Sequence, residues 1–264
     1  MNASASIHRR LVSGISITVE DALTLWRARR RHRRPRDTEP GMRMMHGATA
    51  QELMYRFENL GNNCEFGLVQ RRCGAEPLGL FRFASTSAES VVRALETGLS
   101  DLAEPGDIDI EIELSEHTRK QYVAHNRKYD IRFHTGFSDD QGAPEKVHRE
   151  IVRRTGFLAR KLNGVLSAGN KILVFRSRGD DDSVAMRLGA ALARIGPNRL
   201  LWVAHARSRG DAGRVEPMAE GILKGEIEAD SDWDNIALET WLTLCERAYG
   251  HWSPLSSGQA ARDA

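Results

Sequence analysis

The sequence predicts a single α/β domain of three layers with a mixed, partly parallel sheet. Residues 171–175 and 200–204 are short, continuous apolar runs, which are typical of strands buried on both faces. Between them, apolar side chains recur at helical spacing over residues 184–195. Strand, helix and strand in this order predict a βαβ unit with parallel strands.

Further elements follow from local patterns. Residues 107–114 alternate acidic and aliphatic side chains, which predicts a strand buried on one face, at a sheet edge or surface. Polar turn residues between two extended runs predict a hairpin over 121–134. We also expect a short strand at 78–84 and helices at 87–99, 145–165 and 232–249. The domain should span residues 48–252 and precede a flexible tail, 253–264.

Residues 1–47 predict a basic, largely disordered arm with one short amphipathic helix. Residues 1–48 hold ten Lys and Arg against four Asp and Glu, which leaves 28 against 32 in the remainder. This places the basic character in the arm and argues against specific nucleic-acid binding by the domain. The arm has three interpretations: a charged, disordered leader without a partner, a weak contact with an anionic membrane surface, or a non-specific contact with a polyanion. The residues that would make either contact are Arg27, Arg29, Arg30, Arg31, Arg33 and Arg34.

Composition and spacing exclude several classes of protein. The chain has 264 residues, and its three cysteines form neither a disulfide framework nor a zinc ribbon, which favours a reducing cytoplasm. No apolar run reaches the roughly 20 residues that a membrane-spanning helix needs. Residues 164–171 resemble a phosphate-binding loop but lack its Gly-Lys-Ser/Thr ending and precede a strand. We expect no cofactor and no metal.

The motif Leu-Gly-Asn-Asn-Cys at 60–64 contains the leading candidate for a catalytic residue. Cys64 falls where the chain turns into a helix, and unpaired N–H groups at a helix start stabilise a thiolate. Asn62, Asn63 and nearby backbone N–H groups are candidates to bind an oxyanion or substrate. The alternative is an inert core thiol, because free cysteines are often buried.

A thiol nucleophile needs a base, and His134 is the best candidate because it ends a predicted strand. Catalytic groups in α/β sheets gather at strand ends. The alternative is a structural histidine. A third residue that would orient the imidazole is not identifiable from the pattern; Asp180, in a loop after the central strand, ranks first among the aspartates.

These segments together resemble the DUF1796 family, which is described as papain-like cysteine peptidases. The resemblance rests on the 60–64 motif, Leu-Phe-Arg-Phe at 80–83, the Phe-His segment at 133–134 and the Arg-rich helix leading into the 171–176 strand. It implies that Cys64 is the nucleophile and His134 its base. The chain departs from the family at Arg82 and Thr135, where the family has acids, so Arg82 is a candidate substrate contact of a divergent member.

Two functions therefore stand as expectations. The first is a papain-like thiol hydrolase that uses Cys64 and His134 on a peptide or an acyl or amide compound. The second is a non-catalytic binding module associated with bacterial polysaccharide or surface-polymer pathways, which fits the two missing acids.

Overall fold

Two sheets form within the described part of the chain. The computed structural model describes residues 48–114, 120–179 and 181–252, and its strands are β1 (Phe57–Asn59), β2 (Ala84–Ser85), β3 (Ile108–Leu114), β4 (Lys120–Asn126), β5 (Ile131–Ser138), β6 (Ile172–Arg176), β7 (Arg199–His205), β8 (Val215–Ala219) and β9 (Ile222–Ile227). The helices are α1 (Ala50–Met54), α2 (Glu65–Arg72), α3 (Ala88–Glu96), α4 (Pro144–Ala168), α5 (Asp182–Ala193) and α6 (Leu238–Trp252).

The larger sheet has the strand order β1-β6-β7-β9-β8 and is mixed. Strands β1, β6, β7 and β9 run parallel, and β8 pairs antiparallel with β9 at one edge. All five residues of β6 are buried, as its continuous apolar run predicts for a central parallel strand. The predicted βαβ unit of β6, α5 and β7 is confirmed.

Helices cover both faces of this sheet, which gives the three layers predicted. On one face Phe175 and Trp202 stack with ring centroids 5.1 Å apart, in a core shared with α3, α4 and α5. On the other face Val174 and Val203 pack in a core shared with α1, α2 and α6. The α/β class with a partly parallel sheet is therefore confirmed.

The second sheet is antiparallel, with the order β2-β5-β4-β3. The predicted hairpin is β4 and β5, and the alternating acidic strand is β3, which lies at the edge. The buried residues of this second sheet, such as Tyr122 and Phe133, belong to the same core as α3, α4 and α5. The sequence pattern did not separate this sheet from the parallel one, because hairpin patterns do not report which strands lie beside them.

Two boundaries differ from expectation, and two strands were not expected. The strand predicted at 78–84 is only Ala84–Ser85, because the preceding residues turn around the buried side chain of Arg82. Strands β8 and β9 were not predicted, since Pro217 and Gly225 interrupt their patterns. Helix α6 starts at Leu238, because the residues before it form a loop that contacts α2.

Several expectations fall outside the described residues: the basic arm with its arginines, the tail at 253–264, and Asp180. No helix among the residues described is long and apolar enough to cross a membrane.

Candidate active site at the carboxyl edge of the parallel sheet

A tight turn carries the chain from β1 to α2. The Leu60 N–H donates to the Val174 carbonyl at 2.9 Å and extends the sheet by one residue. Gly61 then has φ +105°, and a Cβ at this position would lie 2.5 Å from Thr86 Cγ2. Asn59 Oδ1 accepts from the Gly61 N–H at 3.1 Å and so fixes the turn. Glycine is required at 61 for both its backbone conformation and its close approach to Thr86.

Cys64 lies at the start of α2, as predicted. It occupies the N-cap position, with φ −78° and ψ −9°, and its side chain makes no capping hydrogen bond. Cys64 is half-buried, whereas Cys73 and Cys245 are buried in the core. Burial raises the pKa of the Cys64 thiol to about 12, with Arg71 lowering it and Asp232 raising it. With its pKa raised in this way, the thiol is neutral near pH 7.

The two asparagines have different partners. Asn62, at φ +78°, donates from Nδ2 to the Arg176 carbonyl at 2.5 Å, which ties the turn to the end of β6. Asn63 Oδ1 accepts from the Glu65 N–H at 3.0 Å, which supports the first turn of α2. Asn63 Nδ2 has no hydrogen-bond partner among the described residues. Of the two, Asn63 keeps a buried side-chain donor without a partner among the described residues, beside the start of α2.

Arg82 is a structural link, and this position does not favour a substrate contact. Its side chain is 7% exposed and forms a 2.6 Å ion pair with Glu76. The guanidinium also donates to the carbonyls of Gly67, Ala75 and Pro77 at 3.1 to 3.2 Å. These bonds hold the segment before β2 against α2. The structural role explains an arginine at this position without any ligand.

His134 lies within β5, in the antiparallel sheet, whereas Cys64 follows β1 of the parallel sheet. The backbone N–H of His134 donates to the Phe83 carbonyl at 3.3 Å, and the backbone carbonyl of His134 accepts from the Arg154 guanidinium at 3.2 Å. Strand β5 continues past it to Ser138, so it does not end the strand as predicted. The pairing of Cys64 with His134 stays a prediction, as does the role of Asp180, which is not described.

Glu65, the residue after Cys64, is the centre of a buried polar cluster that the sequence did not indicate. Its carboxylate is fully buried and accepts from Ser231 Oγ at 2.5 Å and Trp241 Nε1 at 2.8 Å. Arg176 Nε lies 3.4 Å from the same carboxylate and forms a buried ion pair with it. The cluster fastens the start of α2 to the end of β6, to the loop before α6 and to α6 itself.

Next to this cluster, the ends of β6 and β7 add charged groups at the same edge. Arg178 pairs with Asp232, and His205 is the exposed last residue of β7. Burial lowers the pKa of His205; Arg176 and Arg178 lower it further, while Glu65 and Asp232 raise it. The sequence carries the same signal for His205 as for His134, since His205 also follows an apolar strand, yet only His134 was predicted.

Cys64, Arg178, His205 and Asp232 thus lie at the ends of the parallel strands or in the loop after β9. Crevices at this edge are where ligands bind in open α/β sheets. No group of three or more His, Cys, Asp and Glu side chains among the described residues is arranged to hold a metal ion.

Comparison with known proteins adds no identification. No protein-family model matches the chain, and no curated protein matches it. The resemblance to the DUF1796 family stays a prediction.

Proposed function

We propose that the protein is a thiol hydrolase in which Cys64 is the nucleophile. The observation that carries the proposal is the position of Cys64, half-buried at the first turn of α2 and at the carboxyl edge of the parallel sheet. The other two cysteines lie in the core, where substrate has no access. The substrate class is a peptide or another acyl or amide compound.

The raised pKa of Cys64 requires a proton acceptor during the reaction. With a pKa of about 12, only about one thiol in 10⁵ is ionised near pH 7, so a preformed thiolate does not supply the nucleophile. Instead the sulfur attacks the carbonyl carbon as a histidine takes its proton. The same histidine then protonates the leaving group, and water hydrolyses the thioester to regenerate the thiol.

The developing oxyanion needs hydrogen-bond donors close to Cys64. Asn63 Nδ2 is a side-chain donor with no other use in the described residues, and it belongs to the residue before the nucleophile. The first N–H groups of a helix supplement it, since helix starts favour negative charge. Asn62 supports this arrangement indirectly, by holding the turn to the end of β6.

The test uses p-nitrophenyl acetate as an acyl donor and fluorescein-labelled casein as a peptide substrate. We expect the full chain to release p-nitrophenol with a burst and to carry an acetyl group on Cys64 by mass spectrometry. Cys64→Ala should lose both signals, and Cys73→Ala, a matched substitution of a core thiol, should keep them. Failure of the wild-type chain to exceed Cys64→Ala on either substrate would contradict the proposal.

One observation favours a second candidate, a module that binds a ligand without catalysis. Burial holds the Cys64 thiol neutral, as expected of a residue that contacts a ligand without reacting with it. The ligand class expected from the sequence is a bacterial polysaccharide or surface polymer. A glycan array probed with the wild-type chain and with Asn63→Ala tests it; binding that Asn63→Ala removes, without any acylation of Cys64, would favour this function.

Localisation and the arm are separate proposals. Three free thiols fit a reducing cytoplasm. For the arm we propose weak contact with an anionic surface through its arginine run. Phosphatidylserine vesicles should retain the full chain at low salt and release a variant lacking residues 1–47, whereas phosphatidylcholine vesicles should retain neither. Equal retention of both chains would contradict the contact.

A further inference from the structure

We propose that His205 is the proton acceptor of Cys64 and that Asp232 is the acid that serves the pair. The inference rests on the proposed thiol chemistry and assigns residues to it that the sequence did not suggest. It replaces the roles predicted for His134 and Asp180.

Strand order brings Cys64 and His205 to the same edge of one sheet. Cys64 follows β1, and His205 ends β7, with only β6 between these two parallel strands. Neighbouring strands lie about 4.8 Å apart, so β1 and β7 are about 10 Å apart. The turn that carries Cys64 reaches across to the end of β6, where Asn62 Nδ2 donates to the Arg176 carbonyl at 2.5 Å. Arg176 in turn lies beside Val203, two residues before His205. His134 belongs to the other sheet.

Asp232 is the carboxylate common to both side chains. Its negative charge acts to raise the pKa of the Cys64 thiol and that of the His205 imidazole. Its place is fixed from two sides. Arg178 pairs with its carboxylate, and the adjacent Ser231 donates to Glu65 at 2.5 Å.

The contact between Ser231 and Glu65 couples the acid to the nucleophile along the chain. Glu65 adjoins Cys64, and Ser231 adjoins Asp232, so one buried hydrogen bond sets the distance between the two pairs of residues. Trp241 Nε1 binds the same carboxylate and holds α6 against the site. Glu65 is therefore a positioning residue for both Cys64 and Asp232.

The charges that face His205 keep its ring able to accept a proton. Arg176 and Arg178 come from the end of β6 and disfavour the imidazolium, whereas Glu65 from α2 and Asp232 from the loop before α6 favour it. Burial and the two arginines outweigh the two carboxylates, so the pKa of His205 is lower than its ordinary value of 6.5. The ring is neutral near pH 7, and Asp232 stabilises the imidazolium that forms when Cys64 loses its proton.

The test is the rate of Cys64 carbamidomethylation by iodoacetamide, followed by peptide mass spectrometry from about pH 5 to pH 10. Wild type, His205→Gln, His134→Gln and Asp232→Asn are compared, with His251→Gln as a matched substitution of an exposed histidine on α6. The wild-type profile should rise through an inflection below pH 6.5, where His205 loses its proton. His205→Gln should abolish that inflection and lower the rate near pH 7 by about a hundredfold, the low end of what a positioned base contributes. Asp232→Asn should move the inflection to lower pH, because the variant loses a charge that favours the imidazolium.

The outcomes separate this inference from the proposed function. If His134→Gln abolishes the inflection and His205→Gln does not, the assignment of His205 is overturned while the thiol hydrolase stands. If the wild-type rate rises steadily with pH over the whole measured range, without an inflection, and neither histidine variant alters it, the assignment and the hydrolase both fail. An inflection that His251→Gln preserves and His205→Gln removes supports the inference.

Discussion

Removing the Glu65 carboxylate should destabilise the protein severely. Glu65→Ala deletes the acceptor of Ser231 Oγ at 2.5 Å and of Trp241 Nε1 at 2.8 Å. It also leaves Arg176, whose side chain is 1% exposed, as a buried charge without its carboxylate. Breaking a buried ion pair from one side costs about 3–5 kcal/mol, because the remaining charge is neither solvated nor paired. We expect the free energy of unfolding to fall by about 4 kcal/mol.

Urea unfolding of the full chain, followed by tryptophan fluorescence, measures this loss. Glu220→Ala is the control, because Glu220 is exposed between β8 and β9 and should change stability by less than about 0.5 kcal/mol. The double variant Glu65→Ala, Arg176→Met should be more stable than Glu65→Ala alone, since it removes the orphaned charge. A loss below about 1 kcal/mol for Glu65→Ala, or a double variant less stable than the single one, would refute the reasoning.

Four further outcomes are expected. Gly67→Ala should destabilise the chain by about 1–3 kcal/mol in urea unfolding, because a Cβ there would lie 2.5 Å from the Arg82 carbonyl oxygen. This loss should exceed the gain in helix propensity from alanine. Unchanged stability would argue against that close approach. Arg82→Met should cost about 2–4 kcal/mol by the same measurement through its lost bonds to Glu76 and three carbonyls, and a neutral result would reopen a substrate role for Arg82. Burial acts to raise the pKa of Glu76, but hydrogen bonds from two arginines lower it overall. The unfolded chain therefore binds the proton first as pH falls below 4.5, and the free energy of unfolding decreases there. In Glu76→Gln this free energy should depend less on pH in acid, and identical pH profiles of the two proteins would contradict the reasoning. Burial raises the pKa of Cys73 to about 11 and that of Cys245 well above its ordinary value, so neither should react with Ellman's reagent near pH 8 until urea is added.

Much of the fold follows from periodicity alone. Residues 172–175 of β6 and 200–204 of β7 are all apolar, and apolar side chains recur at helical spacing between them, so the layer and direction of these strands could be predicted. Strand β9 could not, because it contains Gly225, and glycine carries no strand signal. A Cβ at Gly225 would lie 3.1 Å from the Leu244 side chain and 3.3 Å from that of Leu201, a closeness that only packing reveals. The predicted length of strand β2 was too great, because the residues before Ala84 turn around the side chain of Arg82.

The site was predictable only in part. The turn at 60–64 and the helix start at Cys64 depend on neighbouring residues, and the glycine and asparagine residues there predict them. The contacts of Glu65 are not local: Arg176 and Trp241 lie more than a hundred residues away along the chain. From sequence alone, a glutamate in the first turn of a helix is expected to be exposed and to interact with the positive end of the helix dipole. Only the tertiary packing makes Glu65 the buried centre of a polar cluster.

By itself the sequence determined most of the helices, the central strands and the candidate nucleophile, because side-chain periodicity, turn residues and helix starts are properties of neighbouring residues. Tertiary structure decided which groups surround that nucleophile. It brought the end of β7 and the loop before α6 to the edge where Cys64 lies, and it left His134 in the other sheet. It also decided the charge of the thiol, since burial raises the pKa of Cys64 to about 12. Desolvation depends on every atom packed around a group, and that packing is not written in any local stretch of sequence.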